Sequence, residues 1–294
     1  MVLAAGLGTR LKPYTLQTPK PLIPLLGVPC IEYSLMQLKT AQVRKIVVNV
    51  HAHAAQVVDY LSSKWEQVQI SDESLNLLGS AGGLRKAISL IEATPGKSEA
   101  FFSLNSDVVS VVDLAKLAER HEFLRKKHGV MMTLCLMNGP SLAAQEGAYT
   151  EILVDEISGL ITGIGSKKTK VPFFTGTAVF ETECFRHLTE GVPSEFVPDV
   201  LLLWIQKQKV GFYSMDGLWL DIGSPELWQK SHFQLLHEME RGALPAEWKS
   251  AILEGMKLGS FSEENGIVDY DTQDGNLKPT SLNYISYKGD RTDV

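Results

Sequence analysis

The chain has little of what a membrane-spanning protein needs: its longest apolar runs, such as Val200 to Ile205, fall far below the roughly 20 residues that cross a bilayer, so no membrane span is expected. Cysteine is scarce. Cys30, Cys135 and Cys184 are odd in number and widely scattered, which fits neither a disulfide framework nor a zinc-binding spacing. The start, Met1-Val2-Leu3-Ala4, lacks the charged segment, apolar stretch and cleavage site of a secretory signal, and the expected location is the cytoplasm. A basic surplus is missing too: a formal net charge of −6 opposes a nucleic-acid partner, because binding a phosphate backbone takes a cationic face. There is no internal repeat, in particular none of the hexapeptide kind that winds a β-helix. Apolar residues at 44% and charged residues at 21% are ordinary for a soluble globular chain, which leaves no reason to expect overall disorder or a fibre.

One absence is local and points to a ligand. From Met1 to Ile31 there is no acidic residue, yet Arg10, Lys12 and Lys20 lie there, so an anion-attracting patch sits inside an acidic protein. A phosphate is the simplest anion for it to attract.

The patterning predicts strands and helices in alternation around a mostly parallel sheet. Met1 to Ala4 reads as a strand entering a loop rich in Gly, Thr and Pro, Ile31 to Thr40 as a helix, and the β-branched run Lys45 to Val50 as a buried strand. Ala54 to Ser63 (helix), Gln67 to Ile70 (strand), Ala81 to Ile91 (helix) and Ala100 to Leu104 (strand) continue the series up to Asn105-Ser106-Asp107. A helix over Val112 to Lys127 and a strand over Gly129 to Leu136 follow. Glu151 to Val154 and Leu160 to Ile164 then flank a turn-rich stretch and predict a hairpin. Strands are expected at Val171 to Phe180, Val210 to Met215 and Leu218 to Leu220, with helices at Phe196 to Gln206 and Pro225 to Arg241. The fold class is therefore α/β, a Rossmann-like three-layer sandwich with a mostly parallel mixed sheet. Ligands of such sheets gather beyond the carboxyl ends of the strands, which sends the loops at Ala5 to Lys20 and Asn105 to Val108 to one crevice. Residues 1–241 read as one domain. The tail, Gly242 to Val294, holds one helical stretch around Trp248 to Met256 and then loses periodicity; it is expected to pack on the core or on a second copy of the chain, making a homo-oligomer.

The chemistry concentrates in a few short segments. In Leu3-Ala4-Ala5-Gly6-Leu7-Gly8-Thr9-Arg10-Leu11 two glycines let backbone N–H groups approach a phosphate chain without Cβ interference. It is no dinucleotide fingerprint, since Leu11 stands where the third glycine belongs, and no Walker sequence is present. In Pro19-Lys20-Pro21-Leu22 two prolines hold one lysine in a stiff segment, suited to fixing phosphoryl oxygens.

Gly6 to Leu11 followed by Pro19 to Leu22 resembles the G-x-G-T-R-L and P-K-P-L signature of the sugar-1-phosphate nucleotidyltransferase family. The resemblance continues in family order through Leu78-Gly79-Ser80-Ala81-Gly82-Gly83-Leu84, Asn105-Ser106-Asp107, Phe174-Thr175-Gly176-Thr177 and Trp219-Leu220-Asp221-Ile222-Gly223-Ser224-Pro225. It implies the nucleotide-diphospho-sugar transferase fold, an NTP and a sugar 1-phosphate as substrates, Mg²⁺ as cofactor, and an NDP-sugar and pyrophosphate as products. Residue by residue it implies that Asp107 and Asp221 hold Mg²⁺, Arg10 takes the departing β- and γ-phosphates, and Lys20 neutralises the α-phosphate or the incoming sugar phosphate. Ala5, Gly6, Gly8, Thr9, Arg10, Gly79 and Gly82 would bind the nucleotide, and Asn105, Thr175 and Gly176 the sugar.

The chain is similar both to mannose-1-phosphate guanylyltransferases and to N-acetylmuramate-1-phosphate uridylyltransferases, with the L-G-S-A-G segment favouring the first. A non-catalytic nucleotide-sugar-binding relative is the rival reading, opposed by the joint presence of Arg10, Lys20, Asp107 and Asp221; a phosphocholine cytidylyltransferase is a third. Against the family pattern, the chain starts about two residues short, and the glutamate-lysine-proline segment before the sugar site is not evident in Gly165 to Val171, where Lys167, Lys168 or Lys170 could supply the lysine. His51 and His53 lack a third ligand for a metal. Asp269, Asp271, Asp274 and Gly275 lack the spacing of a calcium loop. Trp219, among apolar neighbours, reads as packing rather than as a base-stacking platform.

Overall fold

The computed structural model describes residues 1–138, 149–169, 172–258, 268–271 and 278–282. In chain order the strands are β1 (Val2–Leu3), β2 (Pro24–Leu25), β3 (Val28–Pro29), β4 (Ile46–Val50), β5 (Val68–Asp72), β6 (Ala100–Asn105), β7 (Val108–Ser110), β8 (Met132–Met137), β9 (Tyr149–Asp155), β10 (Leu160–Thr169), β11 (Phe173–Glu181), β12 (Val210–Met215) and β13 (Trp219–Asp221), with a separate pair, β14 (Val268–Asp271) and β15 (Lys278–Leu282). The helices are α1 (Cys30–Thr40), α2 (Ala54–Lys64), α3 (Gly79–Ile91), α4 (Leu114–His128), α5 (Leu202–Gln206), α6 (Pro225–Glu240) and α7 (Ala246–Leu258).

Nine strands form one sheet in the order β5-β4-β1-β6-β11-β8-β12-β10-β9. The first four are parallel, β11 runs antiparallel to both its neighbours, and β9 and β10 form an antiparallel hairpin at the far edge. Every residue of β4 is buried, as a parallel strand covered on both faces must be. Its alternation shows the covering: Ile46, Val48 and Val50 join a cluster with Leu35 of α1, Leu61 of α2 and Leu117 of α4, while Val47 joins one with Leu84 and Ile88 of α3 and Val200 before α5. This is the mixed, mostly parallel three-layer sandwich that the patterning predicts.

Sequence reading misses β2 and β3, β7 and the β14–β15 pair. The β2–β3 hairpin is bounded by Pro24 and Pro29, which mask a strand signal, and it turns through Leu26 and Gly27, both with positive φ. That geometry usually announces itself as Asn-Gly, and here a buried leucine occupies the first position. The expected helix over Phe196 to Gln206 starts as a π-helical turn, Val197–Leu201, before α5.

The hairpin belongs to a third apolar cluster that fastens the C-terminal part of the chain to the N-terminal loop. Leu25 and Leu26 pack with Trp228 and Leu235 of α6 and with Trp248 and Ile252 of α7. Trp228 Nε1 donates to the Pro24 carbonyl at 2.8 Å, and the Trp248 ring meets Tyr33 of α1 edge-on at 4.8 Å. Gly27 and Gly255 touch backbone to backbone: a Cβ at Gly27 would lie 2.7 Å from the Gly255 carbonyl carbon. Of the two surfaces foreseen for the tail, α7 takes the core of its own chain. Trp248→Ala should therefore cost about 3–5 kcal/mol of stability, read as a drop in the denaturation midpoint at unchanged slope. A loss under 1 kcal/mol would mean that α7 does not hold this position. Asp113, which accepts from Lys116 N–H at 3.0 Å, caps α4, so its removal affects stability by about 1 kcal/mol.

Candidate active site

Register alone assembles the floor of the crevice. Leu3 at the end of β1 pairs with Asn49 of β4 on one side and Asn105 of β6 on the other, so three neighbouring strands present these residues in one row. Asn49 then anchors the chain leaving β1: its Oδ1 accepts from Ala4 N–H at 2.8 Å, and its Nδ2 donates to Glu73 Oε1 at 2.7 Å. The other carboxylate oxygen of Glu73 accepts from Leu78 N–H at 3.1 Å, at the start of α3, where a negative charge also meets the helix dipole favourably. Glu73 is only 2% exposed and is satisfied by donors rather than by a cation. A Cβ at Gly83 would sit 2.6 Å from Glu73 Oε1, so that glycine is what lets the carboxylate lie under α3.

Above this floor runs the glycine loop. Gly6 has open space around it, whereas Gly8 takes φ +63° and is packed on Thr15, whose hydroxyl donates to the Gly8 carbonyl at 2.8 Å. Thr9 to Leu11 form a 3₁₀ turn that buries Leu11 and leaves Arg10 exposed. Further along, Lys20, 8% exposed between its two prolines, makes an ion pair with Asp107. The buried thiol of Cys30 lies close enough to this pair to feel both charges, although burial is the main cause that pushes its pKa up.

The second carboxylate arrives through a small two-stranded sheet. β13 pairs antiparallel with β7, setting Asp221 opposite Val108, and Ile222 N–H donates to the Asp107 carbonyl at 3.2 Å. Tyr149 donates its hydroxyl to Asp221 Oδ2. Burial pushes the Asp221 carboxyl above the usual carboxylate range and the charge of Asp107 pushes the same way, while the Tyr149 hydrogen bond, Lys20 and Arg10 oppose them. The Tyr149 phenol is raised, chiefly by burial and then by Asp221. A Cβ at Gly223 would lie 2.8 Å from Asp221 Oδ1 and 3.1 Å from Arg10 Nη2, so the bare glycine leaves room for both groups beside it.

Ala5, Gly6, Lys20, Gly79, Asn105 and Asp107 line one cleft of about 250 Å³, together with Asn49, Leu77 and Ser80. Arg10 and Asp221 adjoin it through Gly223 and the β7–β13 pair. Gly176, at φ +86°, closes on Asn105, whose Nδ2 would be 2.6 Å from a Cβ there. Other expected residues lie elsewhere. Gly82 N–H donates to the Ser194 carbonyl at 3.1 Å, and a Cβ there would be 2.9 Å from the Val192 carbonyl oxygen, so this glycine serves close packing of α3 on that loop. Thr175 is buried with its hydroxyl donating to the Cys135 carbonyl at 2.8 Å, and its own carbonyl accepts from Trp219 Nε1 at 2.9 Å. Trp219 is packing, as its neighbours suggest. His51 Nδ1 bonds the Glu73 carbonyl at 2.8 Å.

Among the described residues no group of three or more His, Cys, Asp or Glu is placed to hold a metal. The side chains of Lys167, Lys168, Asp269 and Asp271, and all of Lys170, Asp274 and Gly275, lie outside the described residues. Asn49, Glu73 and Tyr149 were not expected; no local motif marks them.

A nucleotidyl transferase family model matches residues 1–142. The chain is 28% identical over 232 residues to the mannose-1-phosphate guanylyltransferase catalytic subunit beta of Drosophila pseudoobscura pseudoobscura, covering 77% of this chain and 59% of that one. It is 29% identical over 227 residues to the N-acetylmuramate alpha-1-phosphate uridylyltransferase of Neisseria meningitidis serogroup B, covering 76% and 92%. In structure it is similar to HddC from Yersinia pseudotuberculosis complexed with GMP-PN, with a TM-score of 0.64 at 22% identity over 80% of this chain and 97% of that one. Over about three quarters of its length the chain is thus similar to sugar-1-phosphate nucleotidyltransferases. It spans about three-fifths of the length of the first curated relatives it matches.

The anchoring role of Glu73 is testable apart from any reaction. Glu73→Gln replaces one acceptor by a donor, so either Asn49 Nδ2 or Leu78 N–H loses its partner. The expected result is a loss of about 1–3 kcal/mol in urea denaturation. A variant as stable as the parent would show that this network does not anchor the loop.

Proposed function

We propose that this chain transfers a nucleotidyl group from an NTP to a sugar 1-phosphate, forming an NDP-sugar and releasing pyrophosphate. The observation that carries the reading is the β7–β13 pairing, which brings Asp221 beside Asp107 and Lys20 at the end of a glycine-lined cleft. Two carboxylates are hard oxygen donors, and burial first, with the neighbouring charge of Asp107 adding to it, raises the pKa of Asp221, an arrangement that a divalent cation relieves. Asp107 and Asp221 would hold Mg²⁺, which when bound supplies charge neutralisation to phosphate oxygens.

The remaining roles follow from the side chains. Leu3, Ala5 and Gly6 leave room for the nucleotide over the Asn49–Glu73 anchor, with Gly79 and Ser80 opposite. Arg10, exposed at the rim, is free to bind the β- and γ-phosphates that leave as pyrophosphate. Lys20, held on Asp107, is placed to neutralise the α-phosphate or the sugar phosphate that attacks it. A sugar phosphate is already ionised near neutral pH, so attack on the α-phosphorus depends on alignment and charge rather than on a general base. Asn105 and Gly176 meet on the side of the β9–β10 hairpin and would border the sugar; Thr175 would contribute through its carbonyl-held backbone.

We take mannose 1-phosphate and GTP as the substrates, on the strength of the L-G-S-A-G segment and the guanylyltransferases among the relatives. The alternative is N-acetylmuramate 1-phosphate with UTP, supported by a relative matched over nearly its whole length. We further take residues 1–241 as the catalytic domain, residues 242–294 as an extension of it, and the cytoplasm as its place of work. No described helix is long and apolar enough to cross a membrane.

The test crosses the common NTPs with several sugar 1-phosphates and follows pyrophosphate release against Mg²⁺ concentration. One pair should turn over in the parent, and Asp107→Asn or Asp221→Asn should slow it by about a hundredfold or more, on the order of 3 kcal/mol. Near-normal rates at low Mg²⁺ in both variants would remove these carboxylates from the mechanism.

A further inference from the structure

Tyr149 is the first residue of β9, at the edge of the nine-stranded sheet, yet its hydroxyl reaches Asp221 at the end of β13. The ring has no freedom to do otherwise. It stacks on Phe173 at 4.6 Å and 19°, and Trp219 closes on it edge-on at 5.1 Å and 88°. Phe173 and Trp219 meet each other at 4.9 Å, and Trp219 is itself fixed by its indole N–H on the Thr175 carbonyl. Three strands thus contribute one ring each to a packed triad beneath the carboxylate. Among the described residues, the Tyr149 hydroxyl is the only hydrogen-bond donor to the Asp221 carboxylate, and it engages Oδ2.

A carboxylate torsion is broad and two-fold, so an unanchored Asp221 would turn freely. With Oδ2 held by the phenol, Oδ1 is the oxygen left without a protein donor among the described residues; a Cβ at Gly223 would lie 2.8 Å from Oδ1, 3.1 Å from Oδ2 and 3.1 Å from Arg10 Nη2, so the bare glycine keeps this side open. We propose that Tyr149 is a positioning residue that presents Asp221 Oδ1 for metal coordination. This rests on Asp221 being a metal ligand, as proposed above. Partners that orient a ligand commonly contribute 10–100-fold to metal affinity. The hydroxyl is also the point at which the sugar-side hairpin touches the metal side of the crevice, which gives the edge strand a stake in the reacting centre.

The test uses the full chain with a non-hydrolysable NTP analogue and follows free Mn²⁺ by electron paramagnetic resonance. Tyr149→Phe keeps the ring and removes the hydroxyl; it should weaken Mn²⁺ binding about tenfold. It should lower kcat with little change in the KM for sugar 1-phosphate. Asp221→Asn should weaken binding further, and the double variant should bind no worse than Asp221→Asn alone. Phe173→Leu, which loosens the stack but keeps the hydroxyl, should lower the melting temperature while retaining Mn²⁺ affinity. Parent-like Mn²⁺ affinity in Tyr149→Phe beside a clear loss in Asp221→Asn would overturn the positioning role alone. Additive losses in the double variant, or an equal loss in Phe173→Leu, would make the effect one of packing and overturn it as well. Parent-like affinity in Asp221→Asn would remove the metal role of Asp221 and this inference with it.

Discussion

The arrangement of charge in the crevice depends on three register pairs. β7 and β13 match Ser110 with Trp219, Val109 with Leu220 and Val108 with Asp221, and the bonds from Ile222 N–H to the Asp107 carbonyl and from Val111 N–H to the Leu218 carbonyl extend the pairing at its two ends. The pairing holds because its side chains have somewhere to go: Val109, Leu220 and Ile222 are buried in the cluster that also takes the β2–β3 hairpin, α6 and α7. Burial of these few residues therefore sets two acidic groups side by side. Like charges in a half-buried crevice are unfavourable, and the molecule offsets this with Lys20 on Asp107, Arg10 near Asp221 and a phenol donor on Asp221.

The same economy governs the glycine loop. A loop whose backbone N–H groups must stay open to a ligand cannot be held by its own hydrogen bonds, so it is held from outside. Asn49 fixes Ala4, Glu73 fixes Asn49 and the start of α3, and Thr15 fixes Gly8. Trp228 fixes Pro24, just beyond Lys20, and α7 backs the hairpin through the Gly27–Gly255 contact. The C-terminal helices are thereby part of what keeps Lys20 in place, although they are far from it in sequence.

Much of this was legible in the sequence, because hydrophobic periodicity and glycine–proline punctuation are local signals. β4 and α1 were foreseen to within a residue, since a β-branched run and an amphipathic one need no distant partner to be recognised. Arg10, Lys20, Asp107 and Asp221 were legible because each sits in a short motif. Asn49, Glu73 and Tyr149 were not: each is a lone polar residue whose role is set by register or by a ring stack with partners many residues away. Gly82 marks the limit of spacing for a related reason. Gly79, Gly82 and Gly83 lie within one turn of α3 but face three different neighbours, namely Glu195, the Val192–Ser194 loop and Glu73, and spacing cannot tell which of them fronts the cleft. The hairpin at Leu26 and Gly27 was hidden because a buried leucine holds a conformation usually left to asparagine or glycine.

Anomalous diffraction from crystals grown with Mn²⁺ and a non-hydrolysable NTP analogue measures directly whether Asp107 and Asp221 act on one ion. The predicted result is one peak within about 2.1–2.3 Å of a carboxylate oxygen of each residue, with Lys20 withdrawn from Asp107 toward phosphate. A peak on one carboxylate only, with Lys20 still paired to Asp107, would contradict it.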